Sequence, residues 1–437
     1  MNATRAATSA RARLRSSRPR LEAIDRSEAA LLSLGTLASG LLAYGFNVVA
    51  ARALGPETFG AVGALWAGMF LISVLLFRPL EQAVSRAVAD QVARGGDARQ
   101  PVRSIAKIGV LVTVVACAAC VAAWGPLTDG LFAGHAVLTA ALVAGVAGYS
   151  VSYFVRGLTS GVRWFGGYGI VLLADGGIRF VLAIPLLIWA SPAVAGVAIA
   201  AAAVGGGLAP LLSRRRTYLK RLEGEPGAEL ALGKALRFAA PAAVIAGCEQ
   251  VLLSGGPLLV LIAGGQGAAA AAGVLFAATL LMRAPVFLFQ GVAASLLPNL
   301  TTFRATGNEA ALHRATVRTA LALSAFAALL VAGALACGPL AMRLMYGEGF
   351  EATRLGLALL AFGIGAFLAA STFCQAALAR DQAGRAALAW SGAATVFVAL
   401  QLTLDGSSFD RVSIAFAIAS VVAAAQLMAI LWKGSRT

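Results

Sequence analysis

The segment GPLTDGLFAG (residues 125–134) recurs as GPLAMRLMYG (residues 338–347), 213 residues further along this chain of 437 residues. Nearly the same offset relates Phe59 and Gly60 to Ala272 and Gly273, and residues 75–85 to residues 287–297. Duplication of a multi-span unit in one orientation is a recurring architecture of membrane transporters, in which the substrate is handled between the halves. The repeat therefore predicts one six-span unit used twice, with function located between two lobes.

The composition indicates a membrane protein. Apolar residues make up 59% of the chain and charged residues only 12%, whereas a soluble domain contains about twice that share of charge. Twelve apolar runs are long enough for the ~20 residues that cross a hydrocarbon core: 29–51, 59–80, 104–124, 135–157, 168–190, 193–213, 236–263, 268–298, 314–337, 354–379, 386–404 and 411–432. We therefore predict an all-α polytopic membrane protein with about twelve transmembrane helices in two parallel six-helix lobes around a central cavity.

The positive charges predict the domain order and its orientation. Basic residues concentrate in the amino-terminal tail, in the loop after span 2 and in the central RRRTYLKR segment, and the opposite side holds only Arg52, Arg343, Arg354 and Arg411. The positive-inside rule then places both termini on the cytoplasmic side of the membrane. We expect that membrane to be a bacterial plasma membrane. The predicted units are a basic tail (1–28), a six-helix lobe (29–213), a linker (214–233), a second six-helix lobe (234–433) and a short tail (434–437).

Several function classes are disfavoured. The net charge of +16 comes from basic residues dispersed at cytoplasmic helix ends, where they meet anionic lipid headgroups, so membrane lipids and not nucleic acid are the expected partners. All five cysteines fall inside predicted spans, which favours a packing role over redox or metal chemistry. No phosphate-binding loop of the GxxxxGK[ST] type occurs, and no extramembrane stretch is long enough for a catalytic domain. We expect no enzyme activity, no metal and no cofactor.

Charges deep in the predicted spans are the candidates for function. Asp175, Arg179, Glu249 and Arg283 lie about 12 to 20 Å into their spans at 1.5 Å per residue. A charge at a span centre costs roughly 2.5 to 3.5 kcal/mol on insertion scales, so it normally faces a cavity or a partner. Asp175 and Arg179 have i, i+4 spacing and can form a structural ion pair or contact substrate. Glu249 has no partner in its own span, so either Arg283 neutralises it or it titrates.

Arg78 and Glu81 form a second pair with helical spacing. Their i, i+3 separation allows an ion pair, and their place near the cytoplasmic end of span 2 allows both side chains to reach the interface. We therefore consider Arg78 a weaker candidate than the deeper charges.

Three segments resemble one known family. ARALGPETFGAVGALW (51–66), RGLTSGVRWFGGYG (156–169) and LMYGEGFEATRLGLALL (344–360) are similar to segments of the polysaccharide-exporting flippases of the multidrug/oligosaccharidyl-lipid/polysaccharide exporter superfamily. The resemblance extends over nearly the whole chain from Leu31, in span count, duplication and loop pattern. In GPETFG, the residues Gly55, Pro56 and Gly60 are expected to form the tight reversal between spans 1 and 2.

The resemblance implies a function and a site. In that family, spans 1, 2, 7 and 8 line a central, often cationic cavity that takes a lipid-linked sugar headgroup. The implied cavity candidates, together with the deep pair Asp175 and Arg179, are Asn47, Arg78, Glu81, Glu249, Gln250, Arg283 and Gln290. The first-lobe position of Arg78 falls on Gln290 in the second lobe, so a cationic site would be asymmetric. Arginine suits diphosphate because its planar guanidinium binds the oxygens bidentately.

The function expected from the sequence is the flipping of a polyprenyl-diphosphate-linked oligosaccharide to the outer leaflet by alternating access. Glycosyltransferases or a glycan polymerase would then be partners. One alternative is a cation-coupled multidrug exporter of the same architecture, although such a cavity would be acidic and rich in aromatic residues. Another is a non-transporting membrane scaffold for envelope glycan synthesis, which would tolerate neutralisation of Arg283 or Glu249.

Overall fold

The computed structural model describes residues 2–224, 232–265, 267–283 and 309–433. Every regular element in these ranges is helical. The α-helices are α1 (Asn2–Arg94), α2 (Arg99–Ala122), α3 (Trp124–Pro126), α4 (Ala136–Gly161), α5 (Phe165–Val181), α6 (Pro192–Leu212), α7 (Leu232–Ala263), α8 (Ala268–Arg283), α9 (Glu309–Tyr346), α10 (Arg354–Ala379), α11 (Ala383–Thr403) and α12 (Ser408–Lys433). Short helical turns of other types occupy Leu127–Leu131, Ile184–Leu187 and Arg214–Leu222.

Ten helices in the described ranges are long and apolar enough to cross a membrane. The first of them, Leu34–Arg94, has 61 residues and would extend about 90 Å if straight, three times the hydrocarbon thickness. It is instead broken at Gly55, whose φ of 73° and ψ of 168° are not helical and are readily accessible only to glycine. Phe46 stacks on Trp66 with ring centroids 5.9 Å apart, so the two limbs of α1 fold back on each other.

With this bend, each predicted span can be matched to a helix of the structure. The limbs of α1 before and after Gly55 are spans 1 and 2, α2 is span 3, and α4–α7 and α9–α12 are the spans of the same number. Helix α8 is the first part of span 8, and the rest of that span lies outside the described residues. The prediction of an all-α polytopic membrane protein is confirmed.

The helices pack in two equivalent sets. In the first lobe α4 packs against α6 and α2, and in the second α10 packs against α12 and α9 in the same way. Helices α2 and α9 occupy equivalent peripheral places, and the most apolar part of each is only 11% buried inside the protein. The corresponding parts of α7 and α10 are 72% buried. The internal sequence repeat is thus a structural repeat, with the same helices facing lipid in both lobes.

The lobes meet at the hairpin end, by which we mean the end of the bundle where Gly55 joins the limbs of α1. A Cβ on Gly60 would lie 3.1 Å from the backbone nitrogen of Gly273, and a Cβ on Gly273 would lie 3.0 Å from that of Gly60. These two glycines are counterparts in the repeat, so the pseudo-two-fold axis passes between them. The expectation that Gly60 shapes the reversal was wrong: the turn is at Gly55, and Gly60 serves the contact between lobes.

At the opposite end of the bundle the start of the linker rests on the first lobe. The backbone N–H of Ala98 donates to the carbonyl of Leu222 at 2.9 Å, and the indole of Trp164 stacks on Tyr218 at 5.5 Å. Arg221 donates to the carbonyl of Val162 at 3.1 Å. The segment Arg214–Leu222 is therefore tied to the loops that follow spans 2 and 4.

Candidate functional site

A guanidinium group that has no carboxylate partner among the described residues lies beside the seam between the lobes. Arg283, at the end of α8, donates through Nη1 to the hydroxyl of Ser254 at 3.1 Å and to the carbonyl of Leu253 at 3.4 Å. Its Nε is buried without a hydrogen-bond acceptor. None of its contacts within the described part of the chain is with a carboxylate. Within the described part of the chain, neutral oxygens alone hold this cation in place.

Gln250, one turn before Ser254 on α7, binds the same serine hydroxyl that accepts from Arg283. Its side-chain amide nitrogen donates to the hydroxyl of Ser254 at 2.6 Å, and its side chain is 9% exposed. The i, i+4 spacing of Gln250 and Ser254 places them on one face of α7, toward α8. Ser254 was not among the sequence candidates, because a serine in an apolar span carries no signal until its neighbour is known.

The cation within electrostatic range of Glu249 is Arg78 of α1, although no ion pair joins the two side chains in the described structure. The thiol of Cys374 of α10 is in the same range. Near this level a Cβ on Gly247 would lie 3.2 Å from a methyl group of Leu75, so α7 and the second limb of α1 are in contact across the seam. Of the two alternatives for Glu249, neutralisation by Arg283 finds no support among the described contacts, because those of Arg283 are with Ser254 and Leu253.

Arg78 lies at the surface of the second limb of α1. The residue is exposed, and no hydrogen bond or ion pair connects it with another described residue. Of the two arrangements that the sequence allowed for Arg78, an ion pair with Glu81 or a side chain that reaches the interface, the pair is not among the described contacts. Glu81 instead pairs with Arg156 of α4 at 3.3 Å and accepts a hydrogen bond from the hydroxyl of Tyr168 at 2.9 Å. Arg78 therefore has no carboxylate bound to it among the described residues, and Glu249 of the second lobe lies within electrostatic range.

Arg156 is the centre of this second cluster. Its guanidinium lies 4.3 Å from the ring centre of Tyr153 and 4.9 Å from that of Tyr168, and its side chain is only 18% exposed. Two aromatic faces and one carboxylate enclose the cation, which is a favourable arrangement for a buried arginine. The cluster fixes α4 and α5 to the second limb of α1. It was missed in the sequence because Arg156 lies at a helix end, where a basic residue is common.

The pair Asp175 and Arg179 lies inside the first lobe. Arg179 Nη2 donates to both carboxylate oxygens at 2.8 Å and to the hydroxyl of Tyr149 at 2.7 Å. Its guanidinium stacks on the indole of Trp66 at 4.1 Å, and its side chain is 1% exposed. The i, i+4 pair expected from the spacing is present, and its enclosure favours the structural alternative over substrate contact.

The remaining candidates have less defined surroundings. Asn47 is 2% exposed and donates from its amide nitrogen to the carbonyl of Ala43 at 2.8 Å. Its side-chain oxygen is buried without a hydrogen bond. Gln290 lies outside the described residues. Among the described residues no group of three or more His, Cys, Asp or Glu side chains could hold a metal ion.

The arrangement shares its fold with known membrane transporters. A multidrug resistance MATE family transporter of the MOP superfamily, in an inward-facing conformation, superimposes with a TM-score of 0.66 at 18% identity, covering 93% of this chain and 94% of that one. The lipid II flippase MurJ, in an inward closed conformation, gives 0.67 at 13% identity, covering 92% and 87%. At these identities the likeness defines the fold class, the MATE and MurJ transporter fold.

The sequence comparisons then define the family. The polysaccharide biosynthesis protein family matches residues 26–304, and the chain belongs to that family. An uncharacterized protein of Mycobacterium tuberculosis is 26% identical over 400 residues, covering 90% of this chain and 89% of the relative. The resemblance inferred from residues 51–66, 156–169 and 344–360 is confirmed.

Proposed function

We propose that this protein moves a polyprenyl-diphosphate-linked oligosaccharide from the cytoplasmic to the outer leaflet of a bacterial plasma membrane by alternating access. The single observation that carries the proposal is Arg283, a cation inside the bundle whose described partners are a hydroxyl and a carbonyl. A buried charge without a counter-ion is costly, and an anionic ligand would lower that cost. Membership of the polysaccharide biosynthesis family supports a glycan as the cargo.

Three charged groups at the seam would take part in binding the diphosphate. Arg283 and Arg78 would bind the diphosphate oxygens, to which a guanidinium is well matched in geometry and charge. Glu249 lies within electrostatic range of Arg78, and an incoming diphosphate would compete with this carboxylate for the arginine. Gln250 would orient Arg283 through Ser254. The sugar chain would occupy the remaining space between the lobes, and the prenyl chain would stay in lipid.

Membrane potential adds a driving force in the proposed orientation. With both termini in the cytoplasm, the headgroup moves outward, away from the negative interior. Each negative charge that crosses the full potential contributes about 2.3 kcal/mol per 100 mV. Whether a cation is moved in exchange is a separate question, and Glu249 would be its carrier.

Accumulation of lipid-linked oligosaccharide in depleted cells tests the proposal. Cells that lose the protein should build up the precursor on the cytoplasmic leaflet, and wild-type protein should clear it. Arg283→Gln should fail to clear it, whereas Arg318→Gln, the same change at an exposed site on α9, should behave as wild type. Depletion without any accumulation of lipid-linked sugar would refute the proposed cargo and favour the multidrug exporter or the scaffold.

A further inference from the structure

The copy of the repeated motif that ends at Gly347 lies on the seam between the lobes. Helix α9 ends at Tyr346, and its last carbonyls have no partner within the helix, as at any helix end. Arg52 of α1, on the other lobe, donates hydrogen bonds to two of these carbonyls. Its Nε donates to the carbonyl of Met345 at 3.0 Å, and its Nη2 donates to that of Leu344. The hydroxyls of Tyr44 and Tyr346 lie 3.5 Å apart beside this contact.

At the same end of the bundle, aromatic rings pack against one another and two glycines allow backbone-to-backbone contact. Phe59 of α1 contacts Phe276 of α8 and Phe350 beyond α9, with ring centroids 5.6 and 5.8 Å apart. A Cβ on Gly60 would collide with the carbonyl oxygen of Ala269, and a Cβ on Gly273 would collide with that of Pro56. The helices can approach this closely only because neither position carries a side chain.

We propose that this contact is a latch that holds the lobes closed at the hairpin end, and that its release is the step that opens the protein on that side. The latch consists of the Gly60–Gly273 contact and the two hydrogen bonds from Arg52 to the carboxyl end of α9. The inference rests on the rocking of two lobes in the proposed function, and it does not depend on the identity of the cargo.

Arg52 makes the latch one-sided. A guanidinium at a helix carboxyl terminus is stabilised by the unpaired carbonyls and by the helix dipole. When the lobes separate at this end, α9 and α1 move with different lobes, so both hydrogen bonds of Arg52 are lost together. The counterpart of Arg52 in the repeat is Gly265, which has no side chain to cap the equivalent end of the first lobe. Arg52 therefore supplies two charged hydrogen bonds to the closure, beside the Tyr44–Tyr346 hydroxyl contact at 3.5 Å.

Distances between spin labels across this end test the role of Arg52. Glu57→Cys and Glu351→Cys place labels at exposed sites on the two lobes, with the exposed Cys337 replaced by Ala. In lipid vesicles the parent protein should give mainly short distances. Arg52→Ala should raise the ratio of long to short distances roughly tenfold, since it removes two hydrogen bonds to a charged group.

Arg343→Ala is the matched control for that change. Arg343 is an exposed arginine at the same end of α9, but it pairs with Glu348 of its own lobe at 2.7 Å. It should leave the distances as in the parent. The latch is refuted if Arg52→Ala gives the parent distribution, or if Arg343→Ala shifts it equally far.

A glycine variant tests the other half of the latch. Gly60→Ala should also favour long distances, because the added methyl group meets backbone that cannot rotate away. Gly68→Ala, two turns further along the same helix, adds its methyl group to open space and should change nothing. If Gly60→Ala retained the short distances, the proposed role of the Gly60–Gly273 contact in the latch would be contradicted. These distances are measured without glycan, so loss of the proposed cargo would leave them unchanged.

Discussion

Arg283 and Arg179 are both guanidinium groups inside the helical bundle, but their surroundings give them different roles. Arg179 has a carboxylate, a phenol and an indole around it, whereas the described partners of Arg283 are a hydroxyl and a carbonyl. The first charge is already compensated, and in the proposed function the second binds an anion. The same residue type therefore has a structural role within one lobe and a proposed binding role beside the seam.

Removing Arg179 should destabilise the first lobe. Arg179→Gln would leave Asp175 buried without its cation, and breaking a buried pair in this way costs about 3 to 5 kcal/mol. The double variant Asp175→Asn/Arg179→Gln should recover part of the loss. The check is the fraction of folded protein in detergent after heating. Equal resistance to heat in Arg179→Gln and wild type would contradict the structural role of the pair.

The charged residues show how far single positions can be predicted from sequence. The pair Asp175 and Arg179 follows from spacing on one helix, because i, i+4 residues share a face. The partners of Glu249 and Glu81 do not follow, since they depend on the rotation of neighbouring helices. Glu81 pairs with Arg156 of another helix, and the cation in electrostatic range of Glu249, Arg78, is also on another helix. Spacing alone predicts contacts within a helix but not between helices.

At the scale of elements, close helix packing through glycine positions the charged residues of the second limb of α1. A Cβ on Gly157 of α4 would lie 2.7 Å from the carbonyl oxygen of Glu81 and 3.0 Å from the Cβ of Val84. Helices in membranes associate closely where small residues allow their backbones to approach. This contact places Glu81 within reach of Arg156, with which it pairs at 3.3 Å.

Gly157→Ala should therefore disturb both packing and transport. The methyl group would push α4 away from α1, lower the stability by about 1 to 3 kcal/mol and weaken the Glu81–Arg156 pair. The matched control is Gly177→Ala in α5, where the added methyl group meets open space. Stability in detergent and clearance of lipid-linked oligosaccharide are the measurements. The packing argument fails if both variants behave alike.

The boundaries of elements were predicted less well than their number. Span 5 was expected to run to residue 190, but α5 ends at Val181 and a short 3-10 turn follows at Ile184–Leu187. Apolar composition continues past the end of the helix, so hydropathy alone could not locate it. Gly55 was predicted correctly as part of the reversal, because glycine next to proline favours a turn. The function of Gly60 depends on Gly273, which is distant in sequence.

At the scale of the whole molecule, the repeat predicted the relation of the two lobes. The offset that pairs the two GPL motifs also pairs Gly60 with Gly273, and these two residues meet at the pseudo-two-fold axis. A duplicated sequence implies such an axis, but it does not show which residues lie on it. The charged groups do not follow the repeat, since Arg52 and Arg179 have Gly265 and Gly392 as counterparts.

The orientation of the molecule can be tested with single cysteines. In the proposed topology Glu57→Cys and Glu351→Cys lie outside, and Asp97→Cys lies in the cytoplasm. A membrane-impermeant maleimide added to intact cells should label the first two and not the third, in a background with Cys337 replaced by Ala. Opening the cells should make Asp97→Cys reactive. Labelling of Asp97→Cys in intact cells would reverse the topology and the direction of transport.

Flipping in reconstituted vesicles tests the central claim most directly. A polyprenyl-diphosphate oligosaccharide with a fluorescent sugar is placed in both leaflets, and its movement is followed with a quencher that cannot cross the membrane. Wild-type protein and Arg318→Gln should make the inner pool accessible, and Arg283→Gln should slow this at least roughly tenfold, as expected for the loss of a charged hydrogen bond. Wild-type vesicles that behave like protein-free vesicles, or Arg283→Gln vesicles that match wild type, would contradict it.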